Sequence, residues 1–419
     1  MKRVILIYII LVADCILALG QSNDQQAVHF MFEGQTKSKE SYLRKQILED
    51  QTYLSTDSVI QVNTQRLLNL PNIFSLDKVY QQDTLIFFIK EKKTLLPVMN
   101  FGGIKDNFWS QMGISDFNFR GMGQQVVTYY QYNDRRHTAE LYYKIPQLKD
   151  PRWGLFTNYL HWESVEPLFF DEGPVSFNYT NNAAGASIIR NLDYQNSLDV
   201  GFVFFRESYS KTSEQVLSNP PGPNALIQNK YLVRAEFASN NLNYNNFYLS
   251  DYLWRINYQY VFNFSDQTNF HSVIFEGRYF YRLNQLVNFA VRGRFGISTN
   301  NNSPFAPFVV DSQVNIRGVG NRIDRGTAQL VINLEYRHTI LDVEHWGSQF
   351  VIFADNGSWR NPGGELSDLI DQALWRQFIG LGLRIIYKRT YNAIIRLDYG
   401  IDIHNIDQRG FVIGGGQYF

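Results

Sequence analysis

The sequence predicts an all-β transmembrane barrel of about sixteen antiparallel strands preceded by one small α+β domain. Three observations predict it. After Pro97, apolar and polar residues alternate with a period of two again and again, with polar punctuation at short intervals. Aromatic residues reach 16%, from 26 Tyr, 32 Phe and 7 Trp, while charged residues make up only 19%, a balance suited to aromatic girdles at two membrane interfaces. Beyond the leader, no stretch approaches the ~20 continuous apolar residues of a spanning helix, so a crossing here has to be made by strands.

The first element is the leader. Lys2 and Arg3 precede the apolar run Val4 to Ala13, and Ala18-Leu19-Gly20 offers small residues for cleavage, which makes 1–20 a signal peptide and implies export. Val12-Ala13-Asp14-Cys15 offers lipid attachment as an alternative, disfavoured by Asp14 directly before the cysteine. Cys15 is the single cysteine, so the mature chain has no disulfide and no thiolate metal site. With 39 basic and 39 acidic residues, no strong field points to nucleic acid.

Residues 21–96 read as the small domain. A strand over Val28 to Phe32 is followed by helices over Ser38 to Leu48 and Ser55 to Leu70, the second stopped by Pro71; strands over Phe74 to Tyr80 and Thr84 to Lys90 close a small sheet.

Residues 97–419 read as the barrel, with its first strand near Asn107 to Phe117 and strands of about 9–11 residues. Parity assigns faces. Trp254, Ile256, Tyr258, Tyr260 and Phe262 suit lipid, against Arg255, Asn257, Gln259 and Asn263 on a wet lumen side. Val287, Phe289, Val291 and Phe295 oppose Asn288, Arg292, Arg294 and Ser298 in the same way, and Leu330, Ile332, Leu334 and Tyr336 oppose Asn333, Glu335 and Arg337. Glu335 is thereby placed inside. Connections are short except Lys211 to Gln228, Arg360 to Ala373, and a long loop at about 299–327 between the eleventh and twelfth strands.

That loop carries Gln313-Val314-Asn315-Ile316-Arg317-Gly318-Val319, and Phe353-Ala354-Asp355-Asn356-Gly357 follows on a later strand. A loop folded into a lumen has no sheet to hold it, so a guanidinium gripping wall carboxylates is a physical means of fixing it. Arg317 with Gly318 is the candidate grip, Asp355 and Glu335 the candidate walls. In a wet lumen the pair is screened and worth ~1–3 kcal/mol. At the other extreme of the barrel, Gly414-Gly415-Gly416 weakens the last strand, and a closing seam of weak pairing can open.

Ile316-Arg317-Gly318, Phe353-x-Asp355-x-Gly357, Arg376 to Arg384, Ile395 to Gly400 and the terminal Phe419 together resemble the BamA/TamA-type outer-membrane assembly factors. Glu33-Gly34-Gln35-Thr36 and Arg66-Leu67-x-Asn69-Leu70-x-x-Ile73-Phe74 are similar to that family's POTRA domain, present here once. Val319 departs from the family's Phe or Tyr. The resemblance implies a sixteen-stranded barrel in the bacterial outer membrane with a periplasmic POTRA domain. It also implies Phe419 on a lipid-facing last strand, and a lateral seam at Gly414, Gly415, Gly416 and Phe419. The partners it implies are outer-membrane lipid, unfolded client polypeptides (barrel proteins or a secreted protein), and a periplasmic or lipoprotein accessory. The function it implies is insertion of barrel proteins or passage of polypeptides, with no cofactor. The alternative from another class is a passive channel or structural barrel without clients.

Enzyme readings find little support. His29, His137, His161, His271, His338, His345 and His404 show no metal-ligand spacing, no GxSxG elbow occurs, and Gly318-Val319-Gly320 lacks the strand-to-helix context of a nucleotide loop.

Overall fold

The computed structural model describes residues 29–48, 56–81, 83–103, 109–133, 136–213, 219–245, 247–264, 269–312, 314–320 and 324–419. The leader, with Cys15 and the cleavage region, lies outside the described residues.

The N-terminal unit runs β1 (His29–Glu33), α1 (Glu40–Arg44), α2 (Thr56–Leu68), β2 (Ile73–Gln81) and β3 (Thr84–Glu91). Its sheet has the order β1-β3-β2, with β1 parallel to β3 and β2 antiparallel to it. Alternation along β1 turns Phe30 and Phe32 inward, where both stack on Phe87 at 5.9 and 6.0 Å. Leu43 from α1 and Val59 and Leu67 from α2 complete this core. The first helix is shorter than its apolar pattern suggests. Ser38 does not cap it, because its Oγ already accepts from Asn72 and from Asn118.

Among the described residues the barrel has sixteen principal strands, each antiparallel to its neighbours. They are β4 (Leu95–Gly103), β5 (Trp109–Phe119), β6 (Gln124–Asn133), β7 (Arg136–Ile145), β8 (Trp153–Phe170), β9 (Gly173–Asn191), β10 (Asn196–Lys211) and β11 (Ala225–Asn240), then β12 (Tyr248–Asn263), β13 (Phe270–Arg282), β14 (Val287–Ser298), β15 (Ala328–Asp342), β16 (Trp346–Arg360), β17 (Arg376–Tyr387), β18 (Ile394–Asp402) and β19 (Arg409–Gly415). A three-residue strand, Asn243–Asn245, folds onto β12, and β19 returns to β4 to close the cylinder. No described helix is long and apolar enough to cross a membrane.

The first barrel strand is Leu95–Gly103, not the expected Asn107 to Phe117, which falls on the second strand; the domain boundary at 97 lies inside β4. Pro97 is the reason for the misreading. A proline cannot donate to a ladder, but over Leu95 to Asn100 only β5 pairs with β4, so the strand is an edge there and tolerates it.

Strand length is also uneven. β8 and β9 have 18 and 19 residues, beyond the expected 9–11, whereas β19 has 7. The last pair between β7 and β8 is Thr138 with Trp162, so residues 163–170 of β8 rise past its neighbour at the end distal to the N-terminal unit. There Leu168, Val175, Phe177, Tyr179 and Tyr209 form a buried cluster on the inner face.

The N-terminal unit sits on the opposite, near end. Lys39 N donates to Gly121 O, Gln46 to Gln147, and Asn69 to Asn243, while Arg66 lies 4.2 Å over the Tyr194 ring and Arg389 4.6 Å over Phe74. A cavity of about 310 Å³ remains between this unit and the barrel mouth.

Candidate functional site: the loop anchor and the closing seam

Strands β15 and β16 pair Asn333 with Asp355 and Glu335 with Phe353. Because side chains alternate along a strand, Asn333, Glu335 and Asp355 all turn inward and are buried. The loop after β14 brings Arg317 onto them. Its Nε and Nη2 donate to Asp355 Oδ2 and Oδ1 at 2.8 Å each, and its own backbone N–H donates to Oδ2 at 2.9 Å. Nη1 donates to Glu335, which is held from the other side by Arg337 Nε at 2.6 Å. Arg384 Nη1 donates to Asp398 Oδ1 at 2.6 Å, and Arg396 lies 3.4 Å from Asp398 Oδ2. Four guanidiniums thus share three carboxylates.

The side chains of Arg317, Glu335, Asp355, Arg384 and Asp398 are all 0% exposed. The screened pair in a wet lumen, expected from the sequence, is therefore a dry one. Losing one partner strands a buried charge, which raises the cost to about 3–5 kcal/mol.

Gly318 explains its place beside Arg317. It has φ +91°, and a Cβ there would stand 2.7 Å from Gly400 O; a Cβ on Gly400 would stand 2.4 Å from Arg317 O. Two facing glycines let the loop backbone lie flat on β18. Val319 is buried in an apolar cluster with Phe308, Val310, Ile316, Val331, Trp359 and Phe378. The aromatic faces on Arg317 come from elsewhere: Phe353 at 3.6 Å and Tyr418 at 4.2 Å, measured from Cζ to the ring centroid.

The seam between β19 and β4 has three residue pairs among the described residues: Phe411 with Gly103, Val412 with Gly102, and Ile413 with Phe101. The neighbouring β18–β19 ladder has seven. Gly414 and Gly415 pair with β18 and lie past the last rung to β4, although Gly415 N donates to the Asn100 side chain at 2.9 Å. Gly416, at φ +80°, turns the chain away from the wall.

Phe419 is consequently not on the lipid face. Its ring is buried in the lumen beside Phe280, Ala290 and Leu242, and Arg337 Nη2 donates to its carbonyl at 3.3 Å. Gln417 accepts from Arg384 and Arg396, and the Tyr418 hydroxyl donates to Ser312 O in the long loop. Arginines on the wall hold the tail of the last strand inside.

Parity along the strand brought Glu335 into view, and the Phe353-x-Asp355-x-Gly357 string brought Asp355. Gly400, Arg384 and Asp398 were missed as members of the anchor, though each lies on the inward parity of its strand. Among the described residues, no group of three or more His, Cys, Asp or Glu is arranged to hold a metal ion.

A closed sixteen-stranded antiparallel barrel, with a loop pinned in its lumen and a short closing seam, defines a class of outer-membrane barrel rather than a soluble β-protein. The family model for the Omp85 superfamily domain matches residues 118–419, and the chain belongs to the Omp85 superfamily. That family places it in the bacterial outer membrane. Among solved structures it is similar in fold to BamA from Haemophilus ducreyi lacking POTRA domains 1-3, with TM-score 0.56, 16% identity, and coverage of 93% of this chain and 84% of that one. CdiB from Acinetobacter baumannii gives TM-score 0.57 at 11% identity, covering 93% and 74%. CdiB from Escherichia coli gives 0.59 at 8% identity, covering 93% and 76%. No curated protein matches the chain.

Proposed function

We propose that this chain handles unfolded polypeptides at the outer membrane, inserting barrel proteins or passing extended chains, without a nucleotide or other cofactor and without enzymatic chemistry. The N-terminal unit is, in this reading, a single POTRA domain in the periplasm. The observation that carries the proposal is the edge that β4 leaves beside the last described rung of the seam. A barrel normally leaves no strand edge, but here Leu95 to Asn100 keeps one side of its backbone unpaired by β19, and an incoming strand can add to it. The outer side of β2 in the N-terminal sheet is a second free edge, suited to docking a client first. The shared fold with BamA and CdiB supports the same assignment.

Photocrosslinking in cells tests it, with the probe at Val79 on β2 and at Ile413 on β19. Nascent barrel proteins trapped at both positions support insertion, and a single exported partner supports a secretion pore. Adducts with lipid alone overturn the proposal and leave a passive channel.

A further inference from the structure

The loop that carries Arg317 is gripped a second time, on the far wall. Within the loop, Phe308–Val310 and Asp324–Gly326 form a short antiparallel ladder in which Val309 pairs with Arg325. From that ladder Arg325 reaches Glu166 on β8: Nε and Nη2 both donate to the carboxylate, the second at 2.7 Å to Oε1. Ser164 Oγ donates to Glu166 Oε1 at 2.6 Å and is itself fixed by Trp162 Nε1 at 2.9 Å. A main-chain bond from Phe169 N to Pro304 O, at 3.1 Å, ties the loop to the same strand. Phe305 completes the contact, with its ring 5.6 Å from Tyr209 and 4.2 Å beneath Lys230 Nζ. Lys230 is paired with Glu207, which also accepts from the Tyr179 hydroxyl at 2.7 Å.

The two grips share no residue. Arg317 is held by β15, β16 and β18, whereas Arg325 and Phe305 are held by β8 to β11, so the loop spans the lumen. They also differ in wetness. The Arg317 pairs are 0% exposed, whereas Arg325 is 19% and Glu166 4% exposed, and their cluster borders a cavity of about 180 Å³. A pair that adjoins a cavity large enough for water is easier to break than one packed dry on every side.

We propose that Glu166, Lys230, Phe305 and Arg325 form a separate lock that closes the end of the lumen distal to the N-terminal unit, and that this lock opens while Arg317 stays anchored. The inference concerns the lumen alone and stands whatever passes through it, so it can fail or hold independently of the client-handling reading.

The test is ionic conductance of the full chain in planar lipid bilayers, with gel migration before and after heating to verify that each barrel is folded. Glu166→Gln and Arg325→Ala are each expected to raise open probability about tenfold or more, and Glu166→Arg combined with Arg325→Glu to bring it back down. Adding Phe169→Cys and Pro304→Cys to Arg325→Ala should abolish the increase under oxidising conditions and restore it on reduction. Folded single variants that conduct like the native chain overturn the proposal, as does an increase that the oxidised cross-link leaves in place.

Discussion

The guanidinium of Arg317 lies 4.2 Å from the ring centroid of Tyr418, so the residue that pins the loop and the tail of the seam strand touch face to face. The Phe353 ring lies against the same guanidinium at 3.6 Å. The position in the loop where a ring would follow the arginine-glycine pair is valine, and the second aromatic surface is supplied from about a hundred residues further along the chain. Plug and seam therefore meet at one side chain.

Replacing that arginine tests the anchor. Arg317→Ala leaves Asp355 in a dry site without its bidentate partner and is expected to cost about 3–5 kcal/mol. The loss should appear as a lower denaturant midpoint and as new protease cleavage within 299–327. Arg317→Lys keeps the charge but not the fork, so it should fall between the two.

Tyr418→Ala should loosen the loop without touching any ion pair. The ring is buried and its hydroxyl donates to Ser312 O, so the expected loss is about 3–5 kcal/mol, read as faster hydrogen exchange over residues 314–320, while Tyr418→Phe keeps the ring contact and loses only that hydrogen bond, about 1 kcal/mol. In a double-mutant cycle with Arg317→Ala the effects should be strongly non-additive. Additive losses would mean that the two side chains are neighbours without coupling.

A disulfide across the seam tests whether it has to part. Phe101 and Ile413 are register partners, so Phe101→Cys with Ile413→Cys should cross-link in the folded barrel. The oxidised protein is expected to remain folded and lose client handling, and reduction should restore it. Full activity with the bridge closed would remove the lateral route from consideration.

The N-terminal unit carries an acid-sensitive clasp. Burial alone would raise the Glu91 carboxyl, but hydrogen bonds from Ser38, Lys37 and Thr36 hold it below the usual carboxylate range. A folded pKa below the unfolded value means that the clasp contributes fully above the unfolded pKa, near ~4.3. Its contribution is lost as pH falls through the depressed folded value. Glu91→Gln should mimic that loss at neutral pH by about 1 kcal/mol. Hydrogen exchange over 36–38 in the full chain reports it, and a native chain whose exchange there is no more pH-dependent than that of the variant would contradict the assignment.

Much of the anchor was legible because sheet parity leaves little freedom: a slip of one residue would put Glu335 and Arg337 against lipid, so their placement follows from Leu334 and Tyr336 facing out. The fate of Phe419 was not legible. Gly416 accepts a backbone conformation that sends the tail along the wall or away from it, and the arginines that hydrogen-bond it inward, Arg337, Arg384 and Arg396, lie on three different strands. Glu166 and Arg325 are 159 residues apart, and neither has a local pattern that marks it. Pro97 misled for the reverse reason, since its missing N–H signals a break only where both sides of a strand are paired.

The uneven wall has a consequence for the surrounding lipid. Seven residues in β19, at ~3.4 Å each, span about 24 Å, and a tilt of ~40° reduces that to about 18 Å, short of the ~25 Å apolar band typical of such barrels. Acyl chains beside the seam must compress to match it. The hydrophobic mismatch thus falls where the barrel is least closed, and any segment leaving sideways meets a bilayer that is already thinned.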